Sequence, residues 1–202
     1  MLKCFILSFQ LMMHDFHTHN LLAPPGTAIV NLPEEWTLRP VLFRPQPGAL
    51  YSAGIHPWWT VDAERTRRMV DALPRLLEHP QVVRVGECGL DKLCGAPLQT
   101  QIEVFEAQAA MAEAFGLPMT LHIVRAFDVL LRLKKQLRPT VRWTVHGFRG
   151  GPALAQQLLE AGLDLSFGLR FNAAAYDLTP AERRWRETDE LPEAGATWPD
   201  GQ

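Results

Sequence analysis

Cysteine is scarce in this 202-residue chain, with only Cys4, Cys88 and Cys94. They are too few and too scattered for a disulfide framework or a cysteine-rich zinc site, and a reducing, cytoplasmic setting is the expectation. Charge imbalance is missing too: the formal net charge is −2 and the pI is near 6.4. That excludes a surface that is basic throughout, while leaving room for a local basic groove. Long apolar runs are absent. The opening MLKCFILSFQLMM places Lys3 before an apolar stretch, but the stretch is too short to span a bilayer and no small-residue cleavage site follows. Residues 1–12 are expected to be an N-terminal extension, with Met13 a plausible start. No repeat, linker or membrane helix is legible, and no glycine-rich phosphate loop follows the first strand.

What is present suffices for one globular domain, since 47% of residues are apolar and 21% charged. Eight short apolar segments read as strands, around 13–17, 28–31, 50–55, 82–86, 118–122, 141–145, 164–168 and 184–188. Several are near-continuous apolar runs, as in parallel strands buried on both faces. Between the later ones lie helical patterns at 98–115, ended by Gly116, at 126–137, and at 152–161, ended by Gly162. Residues 62–79 read as a helix broken or kinked at Pro74. Thr179-Pro180-Ala181-Glu182 reads as a capping box opening a short helix. The proline-rich stretches 18–27 and 32–49 show no helical period. Alternating strand and helix predicts an α/β fold, and eight strands predict a trimmed (β/α)8 barrel of the TIM type, with an open doubly wound sheet as the alternative.

Asp15-Phe16-His17-Thr18-His19 organises the polar residues. Alternation along a strand sets Asp15, His17 and His19 on one face, where two imidazoles can share an ion and Asp15 can fix a ring tautomer. Glu87, His122, His146 and Asp189 fall at the ends of later strands, and a barrel gathers such ends in one mouth. Four imidazoles and two carboxylates exceed the needs of one tetrahedral ion and suit two ions sharing a carboxylate. Singly, each has a structural reading: His122 as a core histidine, His146 as a turn residue, Glu87 as a helix cap, Asp189 as a solvated side chain. His56, after the third strand, is expected at the same mouth, facing a phosphate or a transition-state oxygen, or else serving as a structural His–Pro turn. Trp58 or Trp59 offers a stacking face, and Arg125, Arg149 and Arg170 are candidate phosphate contacts. Strand parity turns Cys88 away from Glu87, and His14 and His79 read as surface or edge residues.

Asp15-x-His17-x-His19, Gly54-Ile55-His56-Pro57, Gly86-Glu87-Cys88-Gly89-Leu90-Asp91, a strand-ending His122, His146-Gly147-Phe148 and Glu187-Thr188-Asp189 occur in the order found in the TatD-related metal-dependent deoxyribonucleases. The chain resembles their short bacterial branch over roughly residues 13–190. The resemblance implies an amidohydrolase-type (β/α)8 barrel with two divalent cations (Mg, Mn or Zn). It implies His17 and His19 on one ion, His122 and His146 on the other, Glu87 bridging, and Asp189 completing the first site and handling the water's proton. The expected substrate is DNA, at single-stranded ends. Alternatives are a PHP-type phosphoesterase or another amidohydrolase-type hydrolase, and a barrel that binds metal or nucleic acid without turnover. The family continues past its Glu-Thr-Asp motif with a helix and has an apolar strand before it. Here that strand reads Arg184-Trp185-Arg186, so a barrel without its final helix is expected, with Arg184, Arg186 and Thr188 facing water and a flexible tail at 191–202.

Overall fold

The computed structural model describes residues 15–189. The expected extension at 1–12, the tail at 191–202, the final helix, His14 and Cys4 lie outside the described residues. Eight strands form one sheet: β1 (Asp15–Thr18), β2 (Ala28–Asn31), β3 (Leu50–Ala53), β4 (Val82–Asp91), β5 (Met119–Val124), β6 (Trp143–Val145), β7 (Asp164–Phe167) and β8 (Arg184–Arg186). Each pairs in parallel with the next, in sequence order. The sheet returns on itself beyond β8. Asp189 bridges to Thr18, its N–H donating to His17 O at 3.0 Å and its carbonyl accepting from His19 N at 2.7 Å. Sequential order with β8 beside β1 is a (β/α)8 barrel, and the doubly wound alternative falls.

Helices clothe the barrel: α1 (Glu34–Leu38), α2 (Ala63–Ala72), α3 (Pro74–Leu77), α4 (Leu98–Phe115), α5 (Phe127–Leu137), α6 (Pro152–Glu160) and α7 (Ala173–Leu178). α4 has the expected bounds, and Gly116 ends it with φ 65°, a left-handed conformation that glycine adopts without steric cost. The 62–79 pattern divides at Pro74, because proline brings no N–H to bond the turn before it. Ile102, Phe105, Ala109 and Ala112 are buried against the strands.

Several expectations are corrected. α1 and α7 are too short to show a helical period, so neither was anticipated. The capping box does not form: Thr179 Oγ1 donates back to Ala175 O at 2.8 Å, and a 3-10 turn, Ala181–Arg183, follows instead. β4 is twice its expected length, so Glu87 lies within the strand. The register of β1 shifts between Asp15 and Thr18, which interrupts strict alternation. Asp15 fixes no imidazole among the described residues. Its carboxylate accepts from Thr188 N at 2.9 Å and Thr188 Oγ1 at 2.6 Å, stitching the first strand to the last. Nor does the outer face of β8 lie bare in water. The Arg184 guanidinium stacks 4.2 Å from the Tyr176 ring centroid and donates to Tyr176 O, and Arg186 donates to the Tyr176 hydroxyl, so α7 covers that face.

Candidate metal centre

Glu87 is the hub. Its backbone N–H donates to Asn31 Oδ1 at 2.7 Å, and Ser52 Oγ donates to the same oxygen at 2.9 Å, so three neighbouring strands fix where the carboxylate begins. The glycines around it are demanded by closeness. A Cβ on Gly86 would lie 2.6 Å from Thr120 O, and one on Gly89 1.9 Å from His122 O. β4 and β5 could not approach with larger residues at those positions, and His122 would move away from Glu87.

Five imidazole nitrogens converge on this buried carboxylate and divide between its oxygens. Oε2 faces His19 Nε2 at 3.1 Å and His17 Nε2 at 3.3 Å. Oε1 faces His122 Nδ1 and His146 Nε2, each at 2.8 Å, and His56 Nε2 at 3.1 Å. Asp189 Oδ1 stands 3.6 and 3.7 Å from the Nε2 atoms of His17 and His19. The φ of Asp189 is 61°, a left-handed conformation uncommon outside glycine, aspartate and asparagine. All six sequence-predicted ligands are thereby brought together, with His56 beside them.

The remaining ring nitrogens of His146 and His122 each face a second carboxylate. His146 Nδ1 donates to the buried Glu187 at 3.2 Å, while its Nε2 faces Glu87. His122 Nε2 donates to Asp91 Oδ2 at 3.3 Å, leaving Nδ1 toward Glu87. A carboxylate behind an imidazole is the usual support of a metal-ligating histidine. His56 is the reverse case. Its Nδ1 accepts the Trp58 backbone N–H at 3.2 Å, so its proton sits on Nε2 and points at Glu87 as a donor.

Charge follows the same division. Burial opposes ionisation of Glu87, yet His146, His122 and His17 outweigh it and hold its pKa well below the usual value. Burial likewise opposes a charged His146, but Glu87 and Glu187 raise its pKa well above the ordinary one. For His56 burial wins and lowers the pKa, whereas the bond to Glu87 raises that of His19.

The donor set fits divalent ions. His17 is fully buried and neither ring nitrogen makes a hydrogen bond among the described residues, an expensive arrangement that an ion would relieve. His122 Nδ1 and His146 Nε2 lie 3.4 Å apart. Two nitrogens bound tetrahedrally at roughly 2.0–2.1 Å would be separated by about that distance. Groups able to hold an ion include His17, His19 and Asp189, and His17, Glu87 and His146.

Around the mouth, Arg125, Arg149 and Arg170 are exposed beyond β5, β6 and β7, with no hydrogen bond or ion pair among the described residues. Trp58 is half-exposed, its ring edge-on to His56 with centroids 4.9 Å apart, whereas Trp59 packs against the core. Cys88 faces away, within bonding distance of Thr120 O, and burial pushes its thiol pKa up. Asp91, Glu187 and Asn31 were missed as site residues. Two offered a signal: Asp91 stands four positions after Glu87 and Glu187 two before Asp189, with the parity of a shared face.

The family model described as TatD related DNase matches residues 31–191. A 3'-5' ssDNA/RNA exonuclease TatD from Erwinia billingiae is 33% identical over 157 residues, covering 71% of this chain and 59% of that protein. An uncharacterized metal-dependent hydrolase, YabD, from Bacillus subtilis is 34% identical over 114 residues, covering 55% of this chain and 45% of its own length. The chain spans about half the length of the curated relatives it matches. In fold it is similar to the crystal structure of YJJV, a TatD homolog from Escherichia coli K12, with a TM-score of 0.70 and 23% identity over 88% of this chain and 79% of that one.

Proposed function

Because the chain belongs to the TatD related DNase family, we propose that it is a metal-dependent hydrolase of phosphodiester bonds, acting on the ends of single-stranded nucleic acid, DNA foremost. The division of five imidazole nitrogens between the two oxygens of Glu87 carries this reading. Two ions are proposed, magnesium, manganese or zinc. His17, His19 and Asp189 would hold one, His122 and His146 the other, with Glu87 between them. A divalent ion bound there supplies an activated water and polarisation of a phosphoryl oxygen. Asp189, partly exposed at the mouth, takes the water's proton. His56, whose Nε2–H goes to Glu87 in this structure, would give it up to a phosphoryl oxygen of the substrate. Arg125, Arg149 and Arg170 receive phosphates along one arc of the mouth, and Trp58 on the other side receives a base. Residues 13–190 as the hydrolase unit and a cytoplasmic location belong to the same proposal. No helix among the described residues is long and apolar enough to cross a membrane.

The test is hydrolysis of a single-stranded oligodeoxynucleotide with each metal and with chelator, beside a generic ester and amide. Metal-dependent cleavage of DNA alone is expected. Cleavage of the ester or amide instead would turn the reading toward another amidohydrolase-type reaction, and metal binding without turnover toward a binding barrel. Asp189→Asn should lower the rate by about 10²–10⁴-fold while the ion at His122 and His146 stays bound. Glu87→Gln should weaken both ions together, and loss of one alone would count against the bridge.

A further inference from the structure

Asp91 Oδ2 serves two donors at once. The indole Nε1 of Trp58 donates at 2.7 Å and His122 Nε2 at 3.3 Å. The other oxygen is occupied as well, accepting from the backbone N–H groups of Leu93 at 2.8 Å and Cys94 at 3.2 Å. The backbone beneath is clamped by the buried Gln101, which accepts from Asp91 N at 2.7 Å and donates to Asp91 O at 2.9 Å. Both oxygens of the carboxylate therefore have partners, two of them the Trp58 and His122 rings. An ordinary tryptophan anchor would explain a bond from an exposed ring to a surface carboxylate. It does not explain an acceptor atom that is buried and shared with an imidazole whose other nitrogen faces the hub of the site. Nor does it explain why the Trp58 ring stands edge-on to His122, with centroids 5.8 Å apart.

We propose that Asp91 couples the exposed face of Trp58 to the ion held by His122, so that a nucleobase on Trp58 and the ion each tighten the other's binding. The proposal rests on the reading of His122 as a metal ligand and names the base as the part of the substrate that communicates with it. An ion on Nδ1 fixes the His122 ring and, through Nε2, the Asp91 carboxylate and the Trp58 indole. A base stacked on Trp58 fixes the same three side chains from the other end. Whichever event comes second has less left to order, which is positive coupling without a change of fold. Linkage makes the coupling reciprocal, with one factor acting on both affinities. Asp91 and Trp58 act here as positioning residues.

Zinc titration of the apoprotein, read by calorimetry and tryptophan emission, tests this without turnover. The zinc step lost in His122→Ala identifies the relevant ion. Trp58 emission is the difference between the natural protein and Trp58→Phe, a variant that keeps an aromatic face and removes the N–H. Zinc at the His122 step should change that emission, and Asp91→Asn should abolish the change. Asp91→Asn should weaken the step about tenfold or more. Trp58→Phe should weaken it by less, and the His17/His19 step should move in neither variant. Thymidine monophosphate, which has a base and a phosphate but no diester bond, should quench Trp58 and tighten the His122 step about fivefold or more. Emission indifferent to zinc, or both zinc steps weakened equally in the variants, would overturn the proposal and leave Asp91 a fold-holding residue. A zinc response with no effect of the nucleotide would support the Asp91 link and overturn the base as its ligand. Nuclease activity could then still be present or absent, so failure of this coupling and failure of the hydrolase reading are told apart.

Discussion

Arg84 is a cation inside the barrel, two residues before the glycine that precedes Glu87. Its guanidinium donates to Thr120 Oγ1 at 2.8 Å, Thr144 Oγ1 at 2.9 Å and Met119 O at 2.7 Å, and lies 4.4 Å from the Phe16 ring centroid. No carboxylate touches it among the described residues, and burial pushes its pKa down to about 9. The charge is thus costly, while the packed stem is not. Arg84→Met, which keeps a long stem but takes the donor from these acceptors, should cost about 1–2 kcal/mol. Arg84→Ala should cost about 3 kcal/mol through the cavity it opens. Urea unfolding of both variants measures the contrast, and equal losses would place the stabilisation in the charge. The residues of the candidate metal centre were legible as a cluster because histidine and carboxylate at strand ends have few other uses together. Their supports were not. What Asp91, Glu187 and Asp15 touch depends on strands distant in sequence, and the shifted register of β1 turned Asp15 toward Thr188 instead of an imidazole.

At the scale of elements, α4 does more than cover β4. Gln108, buried on its inner face, accepts from Ile55 N at 2.7 Å and donates to Ile55 O at 3.2 Å, holding the residue before His56. Gln101, seven positions earlier on the same face, holds Asp91. Periodicity reported the apolar stripe of this helix faithfully but could not reveal buried glutamines, which read as surface. Gln108→Leu should cost about 2–3 kcal/mol by leaving the Ile55 amide groups unpaired, and should displace His56 more than His122. Imidazole NMR shifts of the two rings would show it. Near its end α4 grips the entry to β6 through Glu113, whose carboxylate accepts from Thr140 Oγ1 at 2.5 Å, Thr140 N at 2.8 Å and Val141 N at 3.0 Å. These bonds, that from the Thr140 side chain first, lower the Glu113 pKa below 4.5. The folded state then binds this proton less readily than the unfolded one. The stabilisation is present above pH 4.5 and is lost as pH falls through the folded value. Glu113→Gln should lower the thermal midpoint at pH 6 and flatten its decline below pH 4.5, and an unchanged acid limb would remove Glu113 from it.

For the whole molecule, eight parallel strands with intervening helices could be read from pattern alone, because buried parallel strands are apolar runs and α4 to α6 carry clear stripes. Closure could not. It depends on Asp15 meeting Thr188, residues 173 positions apart, and on the peptide of Asp189 bonding the strand of His17 and His19. Asp15→Ala should cost about 2 kcal/mol, since it strips an acceptor from the backbone and hydroxyl of Thr188. It should also weaken the ion at His17 and His19 more than the other, which metal titration resolves. The same seam orders events during synthesis on the ribosome, where chains fold from the N-terminal end. His17 and His19 emerge well before Asp189, so the residue that would complete their proposed ion site is missing while the strands between them are made. A nascent chain carries the imidazoles without the carboxylate that would take a proton from water. If the chain hydrolyses nucleic acid as proposed, the barrel seam holds that activity back until the last strand arrives.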